Sequence, residues 1–296
     1  MEYKGYNIEE TKSGVIVENI RDFNPVHIFE CGQCFRWIKE QNGSYTGVAR
    51  GRVVNVDVCK DKLIINNTNL QEFKDIWFEY FDLGRDYSII KEKLSEDEIM
   101  KKAIEFGYGI RILKQDIWET LISFIISANN RIPMIMKSVY LLSKTYGDEI
   151  TYNGEKYYTF PGPEKLSDLC IEELEACRVG FRCKYLLETS AIIKNRQVLL
   201  EKLESMNTFK AREELKKLPG VGNKVADCTL LYSGVKTDVF PTDVWVKRVM
   251  EVLFFGREAT LAEIQEYAEK KFGPWRGIAQ QYLFYYAREN KIGTRE

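Results

Sequence analysis

Two side chains, Lys224 and Asp243, have settings that suit covalent chemistry. Lys224 closes the stretch Leu218-Pro219-Gly220-Val221-Gly222-Asn223-Lys224, and Asp243 follows nineteen residues on in Phe240-Pro241-Thr242-Asp243. The first stretch lies between two helical patterns, so residues 211–234 read as a helix, a tight turn and a second helix. Gly220 and Gly222 permit positive φ and leave the turn's amides uncovered. Those amides, with the positive end of the following helix, suit a phosphate oxygen. Nearby, Lys210, Arg212, Lys216, Lys217 and Lys224 outnumber Glu213 and Glu214, a local excess that favours phosphates. A plain packing corner, in which glycine only ends a helix, fits the same pattern. A lysine at a helix start sits beside the helix's positive end, which favours the neutral, nucleophilic amine, and desolvation would add to this. Taken alone, an ordinary solvent-facing lysine is the plainer reading. Asp243 is placed to cap the helix that begins at Val244, and a capping carboxylate can also face a neighbouring site.

Other chemistries find less support. Cys31-Gly-Gln-Cys34 has metal-like spacing, but only Cys59 and His27 are near enough in sequence to complete a site. Cys170, Cys177 and Cys183 lack a clear fourth ligand. Both groups read as structural cysteines, and neither a metal nor a cofactor is expected. His27 is the single histidine, which excludes polyhistidine metal sites though not a lone triad. The 296 residues carry 43 basic and 44 acidic side chains, a net charge of -1, so a nucleic-acid partner must be inferred from local features. A 45% hydrophobic, 13% aromatic composition is that of a chain with sizeable cores, not of a disordered one. Seven cysteines and no secretory pattern in MEYKGYNIEE fit a reducing cytoplasm, and no apolar run approaches a membrane span.

The elements that must position these residues fall into two groups. Gly14–Ile20, Phe35–Lys39, Tyr45–Val48, Val53–Val58 and Leu63–Asn66 read as strands, separated by turn signals at Asn42-Gly43, Arg50-Gly51 and Lys60-Asp61. From Leu70, Phe73, Ile76, Trp77, Tyr80 and Phe81 recur at helical spacing. After Gly109 nearly everything reads as helix, apart from a connecting loop at Thr151–Pro163. The expected fold is α+β, with an antiparallel sheet domain over 1–108 and a mostly helical region over 109–296.

Taken together, these residues resemble the helix–hairpin–helix DNA glycosylases. LPGVGNK is similar to the family's hairpin and lysine, and Pro241-Thr242-Asp243 to its Pro-x-Asp element. Cys31-Gly-Gln-Cys-Phe-Arg-Trp37 looks like the amino-terminal signature of the 8-oxoguanine branch. Gly109-Ile-Arg-Ile-Leu-Lys-Gln-Asp116, Phe124-Ile-Ile-Ser-Ala-Asn-Asn130 and Gly180-Phe-Arg-Cys-Lys-Tyr185 are also similar to that branch. So are Gly273-Pro-Trp275, Ala279-Gln280 and Leu283-Phe284. The agreement is ordered and runs along most of the chain.

The resemblance implies a bifunctional DNA glycosylase/AP lyase that flips 8-oxoguanine out of duplex DNA and excises it. Lys224 would attack C1′ and form a Schiff base, and β-elimination would then nick the strand. Asp243 would stabilise the oxocarbenium-like charge and help position the lysine. By the same resemblance, the Gly32 carbonyl meets the lesion's N7–H, Gln280 its Watson–Crick edge, and Cys228 and Phe284 its two faces. Asn129 would fill the vacated space, Phe181 would wedge the stack, and the hairpin with Gly220 and Gly222 would hold phosphates. The chain departs from the family at three places. Met134 replaces an arginine that reads the opposite cytosine, so preference for cytosine is expected to be weak unless Arg131 reaches in. Trp245 replaces a histidine that contacts a phosphate, and Phe181 replaces the usual tyrosine. The implied partner is double-stranded DNA containing 8-oxoguanine, with no membrane and no obligate protein partner. A monomer in a prokaryotic cytoplasm, nucleoid-associated when bound to DNA, is the matching expectation. Two alternatives remain at this point, a glycosylase for another damaged purine and a non-catalytic DNA-binding scaffold.

Overall fold

Period-two alternation sends Val15 and Val17, Val54 and Val56, and Leu63 and Ile65 to one buried face, which dictates a sheet with a single apolar side. The computed structural model describes residues 1–293; residues 294–296, at the end of the expected helical region, lie outside the described residues. The strands are seven: β1 (Glu2–Tyr3), β2 (Tyr6–Glu10), β3 (Gly14–Val17), β4 (Trp37–Lys39), β5 (Tyr45–Ala49), β6 (Arg52–Cys59) and β7 (Lys62–Asn66). They form one antiparallel sheet in the order β1-β2-β3-β7-β6-β5-β4. Val15 pairs with Ile65, and Ile65 with Val56, so the buried residues lie in register across three strands. At the β5–β6 turn Arg50 and Gly51 both take positive φ, 52° and 72°, the geometry that matches strand twist in a two-residue hairpin.

Helix α1 (Pro25–Phe29) crosses the sheet. Helices α2 (Leu70–Glu72) and α3 (Phe78–Tyr80) flank a π-helical turn, Phe73–Trp77. The segment buries Phe73, Trp77, Tyr80 and Phe81 on the sheet, as its spacing predicts, and Phe78 besides, whereas Ile76 is only half-buried. Next come α4 (Tyr87–Leu94), α5 (Glu98–Phe106), α6 (Ile117–Ser127) and α7 (Ile132–Tyr146). Asp116 caps α6 by accepting from the Glu119 amide at 2.9 Å.

The expected loop at Thr151–Pro163 is not a loop throughout. Strands β8 (Glu149–Tyr152) and β9 (Glu155–Tyr158) pair as a hairpin around Asn153-Gly154, whose φ values are 49° and 81°. Asn-Gly between aromatic residues is a hairpin signal, and here it outweighs the weak alternation of the flanks. The chain continues through α8 (Pro163–Ser167), α9 (Ile171–Glu175), α10 (Cys183–Lys194), α11 (Thr208–Leu215) and α12 (Asn223–Tyr232). Helices α13 (Val244–Met250), α14 (Leu261–Phe272) and α15 (Arg276–Glu289) complete the described helical part. The α+β order is thus the one expected.

Two apolar cores result. The sheet core gathers residues from Ile8 to Leu83 together with Leu113. The helical core takes in Tyr87, Ile90, Leu94, Met100, Ala103 and Ile104, although these precede residue 109. Arg111 sits where the two meet, 2% exposed. Its guanidinium donates to the carbonyls of Asp22 at 2.9 Å, Asp82 at 2.7 Å and Arg21 at 3.0 Å, and stacks 4.7 Å from the Tyr87 ring centroid. Replacing it strands several buried carbonyls, each costing about 1–3 kcal/mol. Arg111→Met is therefore expected to lower unfolding free energy by about 3 kcal/mol or more, measured as a reduced urea midpoint.

Candidate active site

The hairpin is built by packing on one side and openness on the other. Gly220 has φ +79°, and a Cβ there would lie 2.8 Å from Tyr185 Cδ2, so this position requires glycine. Pro219 is held from behind, its carbonyl accepting from Thr189 Oγ1 at 3.2 Å. Gly222 lies on the open side: it is exposed, nothing approaches its Cβ position, and it starts α12 without any side-chain cap. The first amides of α12 therefore point outward with no protein acceptor supplied by a cap. Three of the five basic side chains hold carboxylates, and Lys210 and Lys224 carry the remaining excess. Lys216 pairs with Glu213 at 2.9 Å, Lys217 with Glu214 at 2.6 Å, and Arg212 with buried Asp227 at 2.6 Å. The hairpin thus offers an anion its uncapped backbone amides with Lys210 and Lys224 nearby.

Lys224 leaves the first turn of α12 and reaches the end of α6. Its Nζ donates to Ser127 Oγ at 3.2 Å and lies 4.9 Å from the Phe124 ring centroid. Cys228, one turn further and 3% exposed, faces the same amine. Burial pushes the Cys228 thiol up to about 12, with Lys224 opposing the shift and Asp243 adding to it. Asp243 caps α13, accepting from the Val246 amide at 2.8 Å, and makes no ion pair with Lys224 among the described residues. A hollow of about 300 Å3 opens beside Lys224, walled by Asn223, Thr242 and Arg276.

The second half of the site comes from the other end of the chain. Gly32 has φ +87°, and a Cβ on it would stand 3.2 Å from Phe284 Cε1. The backbone thus favours glycine here, and a side chain would also crowd the ring. Gln280, on the same face of α15 as Phe284, is 3% exposed, and its Oε1 has no hydrogen-bond partner. A buried amide oxygen left unpaired is costly and points to a ligand group that completes it. Gln281 fastens α15 to this loop, donating to the Cys31 carbonyl at 2.9 Å while accepting from Tyr232 on α12 at 2.6 Å. Tyr232 in turn stacks on Phe124, 5.2 Å away, beneath Lys224. The two halves therefore share one continuous wall.

Asn129 and Phe181 stand on the outer surface. Asn129, just beyond α6, is exposed with φ 50°, and Phe181 is 63% exposed. Arg182 joins them: its guanidinium donates to the Asn129 carbonyl at 3.1 Å, to Val179 at 3.0 Å and to Ala128 at 2.9 Å from Nε. Met134 is 42% exposed near the start of α7, and Arg131 is exposed beside it. Trp245 is half-buried in the first turn of α13. His27 is engaged structurally, its Nδ1 accepting from the Gly109 amide at 3.1 Å, and burial lowers its pKa. A larger hollow of about 510 Å3, lined by Phe35, Val48, Met136 and Tyr140 among others, takes none of these residues into its wall. Sequence reasoning missed Ser127, Arg182, Tyr232 and Gln281 as site-builders. Ser127, within Phe124–Asn130, and Arg182, within Gly180–Tyr185, stood in stretches already marked by the resemblance; Tyr232 and Gln281 did not.

With this geometry in place, comparison identifies the class. Residues 122–274 match the HhH-GPD superfamily of base excision DNA repair proteins, and the chain belongs to that family. Residues 15–121 match the 8-oxoguanine DNA glycosylase amino-terminal domain, which places it in the 8-oxoguanine branch. A Methanothermobacter thermautotrophicus protein described as a probable N-glycosylase/DNA lyase is 33% identical over 235 residues, 73% of each chain. The solved Clostridium acetobutylicum 8-oxoguanine glycosylase/lyase, bound to duplex DNA with cytosine opposite the lesion, is 49% identical. It aligns with a TM-score of 0.95 over 97% of this chain and 99% of that one. A structure of MBOgg1 with a low-affinity DNA ligand is 54% identical, with a TM-score of 0.95 over 98% and 100%.

The cysteines give a direct check on burial. Cys31, Cys34 and Cys228 are buried, whereas Cys59 and Cys170 are exposed, Cys170 lying at the start of α9 instead of in the core. At pH 8 a thiol near 12 is ionised in roughly one molecule in ten thousand. Iodoacetamide at pH 8 is expected to label Cys59 and Cys170 in the folded protein and to spare Cys228 until it unfolds. Mass spectrometry of the peptides reads the result.

Proposed function

We propose that this chain excises 8-oxoguanine from duplex DNA and then cuts the strand, with Lys224 as the nucleophile. The observation that carries this is the meeting of Lys224, Ser127 and Cys228 on a wall shared with Gly32, Phe284 and the unpartnered Gln280 amide. A phosphate-binding scaffold needs the hairpin but has no use for a buried, unpaired carboxamide. The family membership and the relatives' activities support the same reading.

The uncapped α12 amides hold the backbone, while Phe181 and Asn129 enter the stack and keep the lesion nucleotide outside it. The lesion's face lies between Phe284 and Cys228. The latter suits this contact because its thiol stays neutral and acts as a small apolar group. Gln280 completes its hydrogen bonding on the Watson–Crick edge, and the Gly32 carbonyl accepts from N7–H, a donor that guanine lacks. One such bond, made or left unpaired in a dry pocket, discriminates by about 1–3 kcal/mol.

Lys224 Nζ, once it has given up a proton, forms a bond to C1′ as the glycosidic C–N bond breaks. The base leaves with that electron pair and takes up a proton. Asp243, fixed as the α13 cap, opposes the positive charge that develops on the sugar. Opening of the ring gives the protonated Schiff base, loss of a C2′ proton drives β-elimination, and the 3′ phosphate departs. Water afterwards releases the lysine.

Two measurements test this. Borohydride should trap a covalent complex with a duplex holding one 8-oxoguanine opposite cytosine. The adduct should be absent with undamaged duplex and lost in Lys224→Gln, which keeps its binding. Persistence of the adduct in that variant would sink the assignment of the nucleophile. Separately, methionine cannot donate to cytosine's acceptors, so Met134 implies similar excision rates opposite all four bases. A strong cytosine preference would instead give that contact to Arg131.

A further inference from the structure

Gln280, Phe284 and Arg288 recur every four residues along α15 and so line one face of it. The first two are accounted for by the base; Arg288 is not. Its guanidinium lies 5.7 Å from the Phe284 ring centroid and 5.5 Å from that of Tyr285. Nη2 donates to the Glu30 carbonyl at 2.6 Å, and Nε to Glu289 at 2.8 Å. Nη1 is the end nearest Gly32, 3.4 Å from where a Cβ on that residue would stand, and it has no acceptor among the described residues. The side chain is 23% exposed, and Nη2 also meets Glu289 Oε1 at 2.8 Å, which leaves Nη1 as the end open to a ligand. A cation therefore runs past the Phe284 ring and ends with free donors at the Gly32 backbone.

The direction of α15 decides which edge of a base would meet it. At about 1.5 Å per residue, Gln280 and Arg288 are about 12 Å apart along the helix, with Phe284 midway. If Gln280 takes the Watson–Crick edge and Phe284 the ring face, Arg288 meets the far, five-membered edge. There 8-oxoguanine carries a carbonyl and guanine a C–H. We propose that Arg288 is a specificity-determining residue whose Nη1 donates to the C8 oxygen of the lesion. Guanine would leave those donors desolvated and unpaired, so the contact favours the lesion and penalises the normal base. Gly32 and Arg288 then read adjacent atoms of the same edge with opposite polarity, an acceptor for N7–H and a donor for O8.

This inference rests on the reading of the pocket given above, and the experiment separates the two. In Lys224→Gln protein, affinities are measured at one salt concentration for duplexes that differ only in 8-oxoguanine, guanine or a stable abasic analogue. Adding Arg288→Met, which retains a long apolar stem without donors, should shrink the lesion-to-guanine ratio roughly tenfold or more. Binding to the abasic analogue, which has no base to read, should stay within about twofold. Arg288→Lys should recover part of the ratio. An unchanged ratio overturns the proposal, as does an equal loss of binding to all three duplexes, which would make Arg288 a strut for the Glu30 loop. Lack of any lesion preference in the Lys224→Gln parent overturns the pocket reading, and this inference with it.

Discussion

The Gln33 carboxamide, fully buried between sheet and helices, is the constraint on which the site depends. Its Nε2 donates to the Ile28 and Arg111 carbonyls at 2.9 and 2.8 Å, and its Oε1 accepts from the Leu113 amide at 2.9 Å. A buried amide this well satisfied rigidifies its surroundings, because any movement would leave a polar atom without a partner in a low dielectric. The short loop that begins at Glu30 is thereby pinned to the segment leading into α6, and Gln281 fixes it from the other side. Gly32 is held at positive φ without using any of its own side-chain atoms. The same segment delivers Ser127 one helix later, so the Lys224 contact and the Gly32 loop are set by a common frame.

The chain's local structure was written in its local chemistry. Arg50-Gly51 and the alternating valines gave the hairpins, and Asp243 marked the start of α13. Strands β1 and β2 escaped because Ile8 is their one buried residue, and a single inward side chain makes no period. The β8–β9 hairpin was announced only by Asn153-Gly154, between aromatic residues that also suit a loop. The site was legible as a set of residues through resemblance, but not as an arrangement. Lys224 meets Ser127 across 97 residues, Gln281 meets Cys31 across 250, and Arg288 meets Glu30 across 258. No periodicity records contacts at such separations.

Arg182 illustrates how the outer surface is prepared in advance. One guanidinium ties the turn that carries Phe181 to the turn that carries Asn129, so the two projecting side chains share a rigid base. Ordering two separate loops at the moment of contact would cost about 0.5–1.5 kcal/mol for each immobilised side chain, and here much of that ordering exists already.

The ion pairs around the hairpin bear on how the protein meets undamaged DNA. A cation that already holds an internal carboxylate displaces fewer condensed counterions when it approaches a phosphate, and counterion release supplies most of non-specific affinity. Lys216, Lys217 and Arg212 are committed in this way, and the whole chain carries a net charge of -1. Fewer cations around this hairpin are therefore free to displace counterions than its count of basic side chains suggests.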